Sequence, residues 1–185
     1  MQNVDSEREL VKECLAGKRE SQKLLYEHYA PVMLGVCYRY AASRMEAEDF
    51  LQEAFILVFR KLQQYKGSGE LGAWIRRIVV NTSLNGIKAR HRFTEGLQVI
   101  PIDSVNDDRN FGEKPEGNDL IELVHRLPPG YKTVFNLFAN EGYSHDEIGE
   151  MLGIKASTSR SQYSRARELL LRKLNNDLKN ITNDR

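Results

Sequence analysis

The chain has 185 residues, 41% of them hydrophobic and 29% charged, with a net charge of +1. That length suits one ordinary domain or two small ones, and the composition is that of a globular protein. The longest apolar run, Ala54 to Phe59, falls far short of the roughly 18 residues a membrane span needs. The polar, acidic start "MQNVDSERELVKE" does not read as a secretory signal, and no direct membrane insertion is expected. Cys14 and Cys37 stand alone, and His28, His91, His125 and His145 are far apart. No disulfide framework, metal site or cofactor is expected from them; small buried thiols in a reducing cytoplasm are the simpler reading.

Helical periodicity covers both ends of the chain and fails in the middle, and no stretch reads as a strand. "SERELVKECLAGK" opens with a Ser6-x-x-Glu9 capping pattern and stops near Gly17. A longer helix follows over about 19–41, with Leu24, Leu25, Tyr29, Val32, Val36 and Tyr40 along one side. Pro31 lies inside it and is expected to kink or divide it. "AEDFLQEAFILVFRKLQQY" is apolar enough in its second half for most of its circumference to be buried. In "LGAWIRRIVV", Leu71, Trp74, Ile75, Ile78 and Val79 share one stripe, with Arg76 and Arg77 facing away.

Residues 93–118 then break every periodicity with prolines, glycines and many Asp and Asn residues, the pattern of a flexible linker. Helices return over 119–127, about 130–141, 144–152 and about 156–175. The expected fold is all-α: two small helical domains, 1–92 and 119–178, joined by the acidic linker, with a polar tail at 179–185.

The small net charge hides a segregation. Residues 76–92 carry five bases and no acid; residues 155–173 carry six bases against Glu168 alone. Between them, residues 95–124 carry eight acids and two bases. Either basic patch alone could be a solvated face; two on opposite sides of an acidic stretch point to a polyanion.

The second patch lies in "SHDEIGEMLGIKASTSRSQYSRARELLLRKL", residues 144–174. Ser144 and Glu147 form a capping box, Ile148, Met151 and Leu152 give a buried stripe, and Gly153 can supply a left-handed turn residue. A second helix begins near Ala156, and the whole reads as a helix-turn-helix within the C-terminal domain. Its early positions, Thr158, Ser159, Arg160, Ser161, Gln162, Ser164 and Arg165, are expected to face outward, where such a helix meets base edges. Arginine can bridge guanine, glutamine can bridge adenine, and hydroxyls suit phosphates. Tyr163, Leu169, Leu170 and Leu174 fall on the core side.

The stretch from "AEDFLQEAFILVF" to "WIRRIVVNTSLNGIKARHR" resembles region 2 of bacterial RNA polymerase sigma factors, specifically the two-domain extracytoplasmic function group. Asp49-x-x-Gln52-Glu53-x-Phe55 and Ala73-Trp74-Ile75-x-x-Ile78-x-x-Asn81 carry the likeness. "LPPGYKTVFNLFANEGYSHDEIGEMLGIKASTSRSQYSRARELL" is similar to region 4 of the same family. The resemblance implies a transcription initiation factor that binds core RNA polymerase, recognises −35 and −10 promoter elements, and assists melting, without catalysing a reaction itself. Asp49, Phe50, Gln52 and Glu53 would dock on polymerase. Arg76, Arg77, Asn81, Asn85, Lys88, Arg90 and Arg92 would handle the −10 element: the asparagines on an extruded base, and Lys88, Arg90 and Arg92 on phosphates. Thr158, Arg160, Ser161, Gln162, Ser164, Arg165 and Arg167 would read the −35 element.

Two positions depart from the family pattern: Gly86 where an apolar residue is expected, and Ser159 where Val or Ile is usual. The partners implied are core polymerase, promoter DNA and, as a candidate, an anti-sigma factor, with the free chain a cytoplasmic monomer. Two readings compete: a free-standing helix-turn-helix regulator, and an enzyme or interaction module with incidental charge patches. For the linker, a thread through the RNA path of polymerase and a plain solvated spacer are equal readings.

Overall fold

The computed structural model describes the backbone of residues 2–95 and 120–183 and the side chains within 7–90 and 123–175. Contacts divide the chain into two compact units, Met1–Val99 and Ile100–Arg185. Every regular element among the described residues is helical. Residues 96–119, which hold most of the linker expected at 93–118, and the last two residues lie outside them.

In the first unit α1 spans Gln2–Leu15. It starts ahead of Ser6, so that serine lies inside the helix rather than capping it. Gly17, at φ 78°, turns the chain into α2, Arg19–Tyr40. The Tyr29 hydroxyl donates to Glu7 across α1 and α2 at 3.0 Å. Burial, then the carboxylate, pushes the Tyr29 hydroxyl pKa well above its usual value.

The inward face of α2 carries Leu25, Ala30, Met33, Val36, Cys37 and Tyr40. This corrects the expected stripe: Leu24 and Val32 are 60% and 62% exposed. Pro31 neither ends nor divides the helix. It sits on the exposed side, so the backbone bond it fails to donate leaves a carbonyl within reach of water.

Helix α3, Arg44–Lys61, is capped by Ser43, whose hydroxyl accepts the Glu46 amide at 3.2 Å. It buries Ala47, Phe50, Leu51, Ala54, Phe55 and Val58. A short 3-10 turn, Leu62–Gln64, and a loop with positive-φ Gly67 and Gly69 lead to α4, Leu71–Glu95. Helix α4 runs through residues 93–95, past the domain boundary expected at 92. Leu71, Ile75, Val79 and Val80 of α4 are buried against α2 and α3. The apolar stripe expected there is met by Leu71, Ile75 and Val79; Trp74 is half-buried and its ring packs on Tyr65 at 5.6 Å.

The polar run "NTSLN" is less exposed than it reads. Thr82 and Ser83 are buried, and their hydroxyls donate to the carbonyls of Ile78 and Val79, both at 2.9 Å. Those bonds satisfy the buried oxygens without leaving the helix. Gly86 does not interrupt α4. A Cβ there would fall 2.3 Å from Phe50 Cε1, so the ring occupies the space the side chain would need. Glycine costs about 1 kcal/mol in a helix interior, whereas burying a phenylalanine contributes about 1.5–3 kcal/mol. The exchange favours the pair.

The second unit holds α5, Leu120–His125, and α6, Pro129–Phe135, continued by a π-helical turn, Asn136–Asn140. Then come α7, His145–Leu152, and α8, Ala156–Asn183. Helix α8 extends past the expected end near 175. Val124, Leu127, Ala166 and Leu170 form a core packed by Leu123, Tyr131, Phe135 and Leu169. Val134, Leu137 and Ile148 are fully buried.

Both arms of the Ser144–Glu147 capping box are present, and Gly153 is left-handed at φ 71°. Gly149 matters as much, for a Cβ on it would lie 2.8 Å from the Ile154 carbonyl oxygen, in the turn leading to α8. Ile154 also donates its amide to the Gly149 carbonyl at 3.0 Å. Gly149→Val is expected to destabilise the second unit by about 2–3 kcal/mol, an overpacking cost. Thermal unfolding followed by circular dichroism reads the loss; an unchanged midpoint would refute the close approach.

Candidate nucleic-acid interface

Helix α4 presents two different sides. At about 100° per residue, Arg77, Asn81, Asn85 and Lys88 fall within an arc of about 80°, and all four are exposed. Arg76 and Arg90 lie on the packed side and are half-buried. Arg90 Nη1 donates to both carboxylate oxygens of Glu46 in α3. Arg90, expected as a phosphate ligand, is thus paired with a carboxylate and lies off the exposed arc of Arg77, Asn81, Asn85 and Lys88. The paired outward placement of Arg76 and Arg77 holds for Arg77 alone. The side chain of Arg92 lies outside the described residues.

On α3, Asp49, Gln52 and Glu53 are exposed. Phe50 is not. It is 6% exposed and packed under α4 at Gly86, so it supports α3 from within and does not offer a surface contact. Sequence reasoning missed two neighbours on the same face. Met45 and Ile56 are 72% and 53% exposed and share the stripe of Asp49 and Gln52 by helical spacing. The signal was present, since these apolar residues sit where a helix with only a solvated face would carry polar ones.

In the helix-turn-helix, α8 exposes Thr158, Arg160, Ser161, Ser164, Arg165 and Arg167. Arg160, Ser164 and Arg167 share an exposed arc of about 60°, roughly a third of a turn round from the buried Ser159, Ala166 and Leu170. Ser161 donates to the Ser157 carbonyl at 3.0 Å. Arg165 reaches the Tyr131 hydroxyl at 3.4 Å, and the Arg167 guanidinium lies 6.0 Å from the Tyr163 ring centre. Gln162 is half-buried, its amide over Gly130, where a Cβ would meet Nε2 at 3.6 Å. It therefore faces α6 more than the outer arc.

Ser159 was expected to face outward and is instead fully buried. Its hydroxyl lies 2.9 Å from His145 Nδ1. The His145 ring stacks on Phe138 at 4.4 Å, and Phe138 packs on Tyr163 at 4.5 Å. A hydrogen bond thus joins the two helices at the position where an apolar residue would pack, and it satisfies the buried hydroxyl.

Both cysteines are buried, and burial raises both thiol pKa values, that of Cys37 to about 11. Such thiols stay protonated near neutrality. Among the described residues no cluster of three or more His, Cys, Asp or Glu can hold a metal ion. No helix among them is long and apolar enough to cross a membrane.

A guanidinium-bearing helix-turn-helix in one unit and a basic, amide-bearing helical face in the other define a two-part DNA-binding factor. Sigma-70 region 2 matches residues 25–93, and Sigma-70, region 4, matches residues 117–170. The chain is 32% identical over 151 residues to the ECF RNA polymerase sigma factor SigE of Mycolicibacterium smegmatis, a match covering 79% of this chain and 58% of that protein. It is 29% identical over 177 residues to the ECF RNA polymerase sigma-E factor of Haemophilus influenzae, covering 89% of this chain and 93% of that one. In fold it is similar to the sigma factor RpoE solved in complex with the anti-sigma factor NepR from Bartonella quintana, with a TM-score of 0.53 at 21% identity over 83% of this chain and 96% of that chain. With both family regions matched in order and relatives of this group matched over 79% and 89% of this chain, the chain belongs to the extracytoplasmic function (ECF) sigma factors of RNA polymerase. Sigma factors are transcription initiation factors.

Proposed function

We propose that this sigma factor binds core RNA polymerase through the α3 face of Asp49, Gln52 and Glu53. It then directs the enzyme to promoters carrying −35 and −10 elements and helps open the duplex at −10. It acts as a cytoplasmic monomer before assembly and catalyses nothing itself. The observation that carries this reading is the pairing of faces in the first unit: α3 exposes Met45, Asp49, Gln52 and Ile56 while the adjacent α4 exposes Arg77, Asn81, Asn85 and Lys88. A free-standing regulator has no use for an exposed carboxylate–amide–apolar stripe beside a basic one. The −35 contacts fall to Arg160, Ser164 and Arg167, with Thr158, Ser161 and Arg165 flanking them and Gln162 only marginal.

Neither DNA face alone needs to bind tightly. Polymerase holds both at a fixed spacing, so the second contact forms at high effective concentration. The Bartonella relative's complex supports an anti-sigma factor as a candidate regulator here. Co-elution of the full chain with core polymerase on size exclusion tests the proposal. A stable complex is expected, with Asp49→Ala/Gln52→Ala weakening it about thirtyfold or more, the effect of one interface hot spot. No complex, with the chain instead shifting duplex DNA alone, would establish a free-standing regulator.

A further inference from the structure

Glu46 lies in the first turn of α3 and gathers contacts from the segment before that helix and from α4. Its Oε2 accepts the backbone amide of Ala42, just beyond the end of α2, at 2.5 Å. Both carboxylate oxygens also accept from Arg90 Nη1, across on α4. Glu46 and Arg90 are both partly buried, so their attraction is screened less than that of an exposed pair. Ile87 is the last buried side chain of α4 among the described residues. Beyond it, the ion pair ties α4 to α3.

We propose that Arg90 is a positioning residue. With Glu46 it pins the distal turns of α4, which carry Asn85 and Lys88, to the start of α3, which carries Asp49 and Gln52. The −10 face then keeps a fixed place relative to the docking face. A helix end free to fray would offer Asn85 and Lys88 in many orientations, and each would have to be ordered on binding. Arg90 lies on the opposite arc from Arg77, Asn81, Asn85 and Lys88, which is where a brace belongs and a phosphate ligand does not. This inference rests on the reading of the two faces given above, but one of its tests does not.

Amide exchange over residues 85–90 in the free full-length chain reads the brace without polymerase. Arg90→Ala is expected to speed exchange there about tenfold, the opening of a locally secured turn. The charge swap Glu46→Arg/Arg90→Glu is expected to recover part of the protection lost in Arg90→Glu alone. Recovery stays partial, because arginine at position 46 cannot accept the Ala42 amide and sits unfavourably at a helix N-terminus. Arg90→Lys, which keeps the charge, should lie close to the parent chain. Exchange unchanged in Arg90→Ala, or a swap no better than Arg90→Glu, overturns the brace.

Promoter binding by the reconstituted holoenzyme across salt concentrations then reads the function. Lys88→Ala is expected to lower the log–log salt slope by about 0.7–0.9, the loss of one phosphate contact. Arg90→Ala is expected to weaken binding about tenfold at an unchanged slope, the signature of misplacement rather than of a lost contact. A slope lowered in Arg90→Ala as in Lys88→Ala makes Arg90 a phosphate ligand and overturns the proposal. A parent chain that never joins polymerase counts against the functional reading, while the exchange result still decides the brace.

Discussion

Replacing Gly86 by leucine is expected to be among the most damaging single changes in the first unit. The nearest atoms to a Cβ at Gly86 belong to the Phe50 ring, at 2.3, 2.8 and 3.0 Å. Phe50 is itself buried between α3 and α4, so its ring has little room to swing aside. Alanine would gain about 1 kcal/mol of helix propensity but meet an overpacking cost of about 1–3 kcal/mol. Gly86→Ala should therefore be mildly destabilising, and Gly86→Leu should lose about 3 kcal/mol or more. Shortening the ring supplies the decisive comparison. Phe50→Leu alone should destabilise, yet Phe50→Leu/Gly86→Ala should be more stable than the two single losses sum to, a coupling of about 1 kcal/mol or more. Denaturant unfolding of the full chain measures all four. Additive losses would show that the two residues do not share the space.

The second large effect belongs to Arg160. It is exposed on the outer arc of α8 with Ser164 and Arg167, where a recognition helix meets base edges. A bidentate arginine–guanine contact is worth about 1–3 kcal/mol of discrimination, so Arg160→Ala should cost roughly 5- to 150-fold in binding to the preferred −35 element. Gln162→Ala should change binding less than about threefold, since an amide held against a neighbouring element contributes little to base readout. The sequence alone ranks these two residues as equals; the fold separates them. Promoter titration with the holoenzyme measures both. A larger loss for Gln162→Ala than for Arg160→Ala would mean that α8 presents a different face to DNA.

The helices, the two-unit layout and the capping box at Ser144 were legible because each rests on local pattern: a period, a cap, a run of turn formers. What the sequence hid depends on distant partners. Phe50 and Asp49 are neighbours in an acidic, family-like motif, and only the fit of a ring against Gly86 tells which one turns inward. Arg90 reads as one more base in a basic segment until α3 brings Glu46 beside it. Ser159 looks like another outward hydroxyl because its partner His145 lies in the preceding helix. On α2, periodicity could not decide between Val32 and Met33, and packing chose the methionine. The candidates Asp49, Gln52, Asn81 and Asn85 are exposed, as their polar side chains on helical faces already suggest.

The measurement closest to the central claim is promoter-directed transcription by core RNA polymerase reconstituted with this chain on fragmented genomic DNA. The expected result is a small set of start sites sharing one −35 and one −10 sequence, dependent on the chain and lost with Asp49→Ala/Gln52→Ala. Start sites no different from those of core enzyme alone, with the purified chain binding a palindromic duplex unaided, would contradict it.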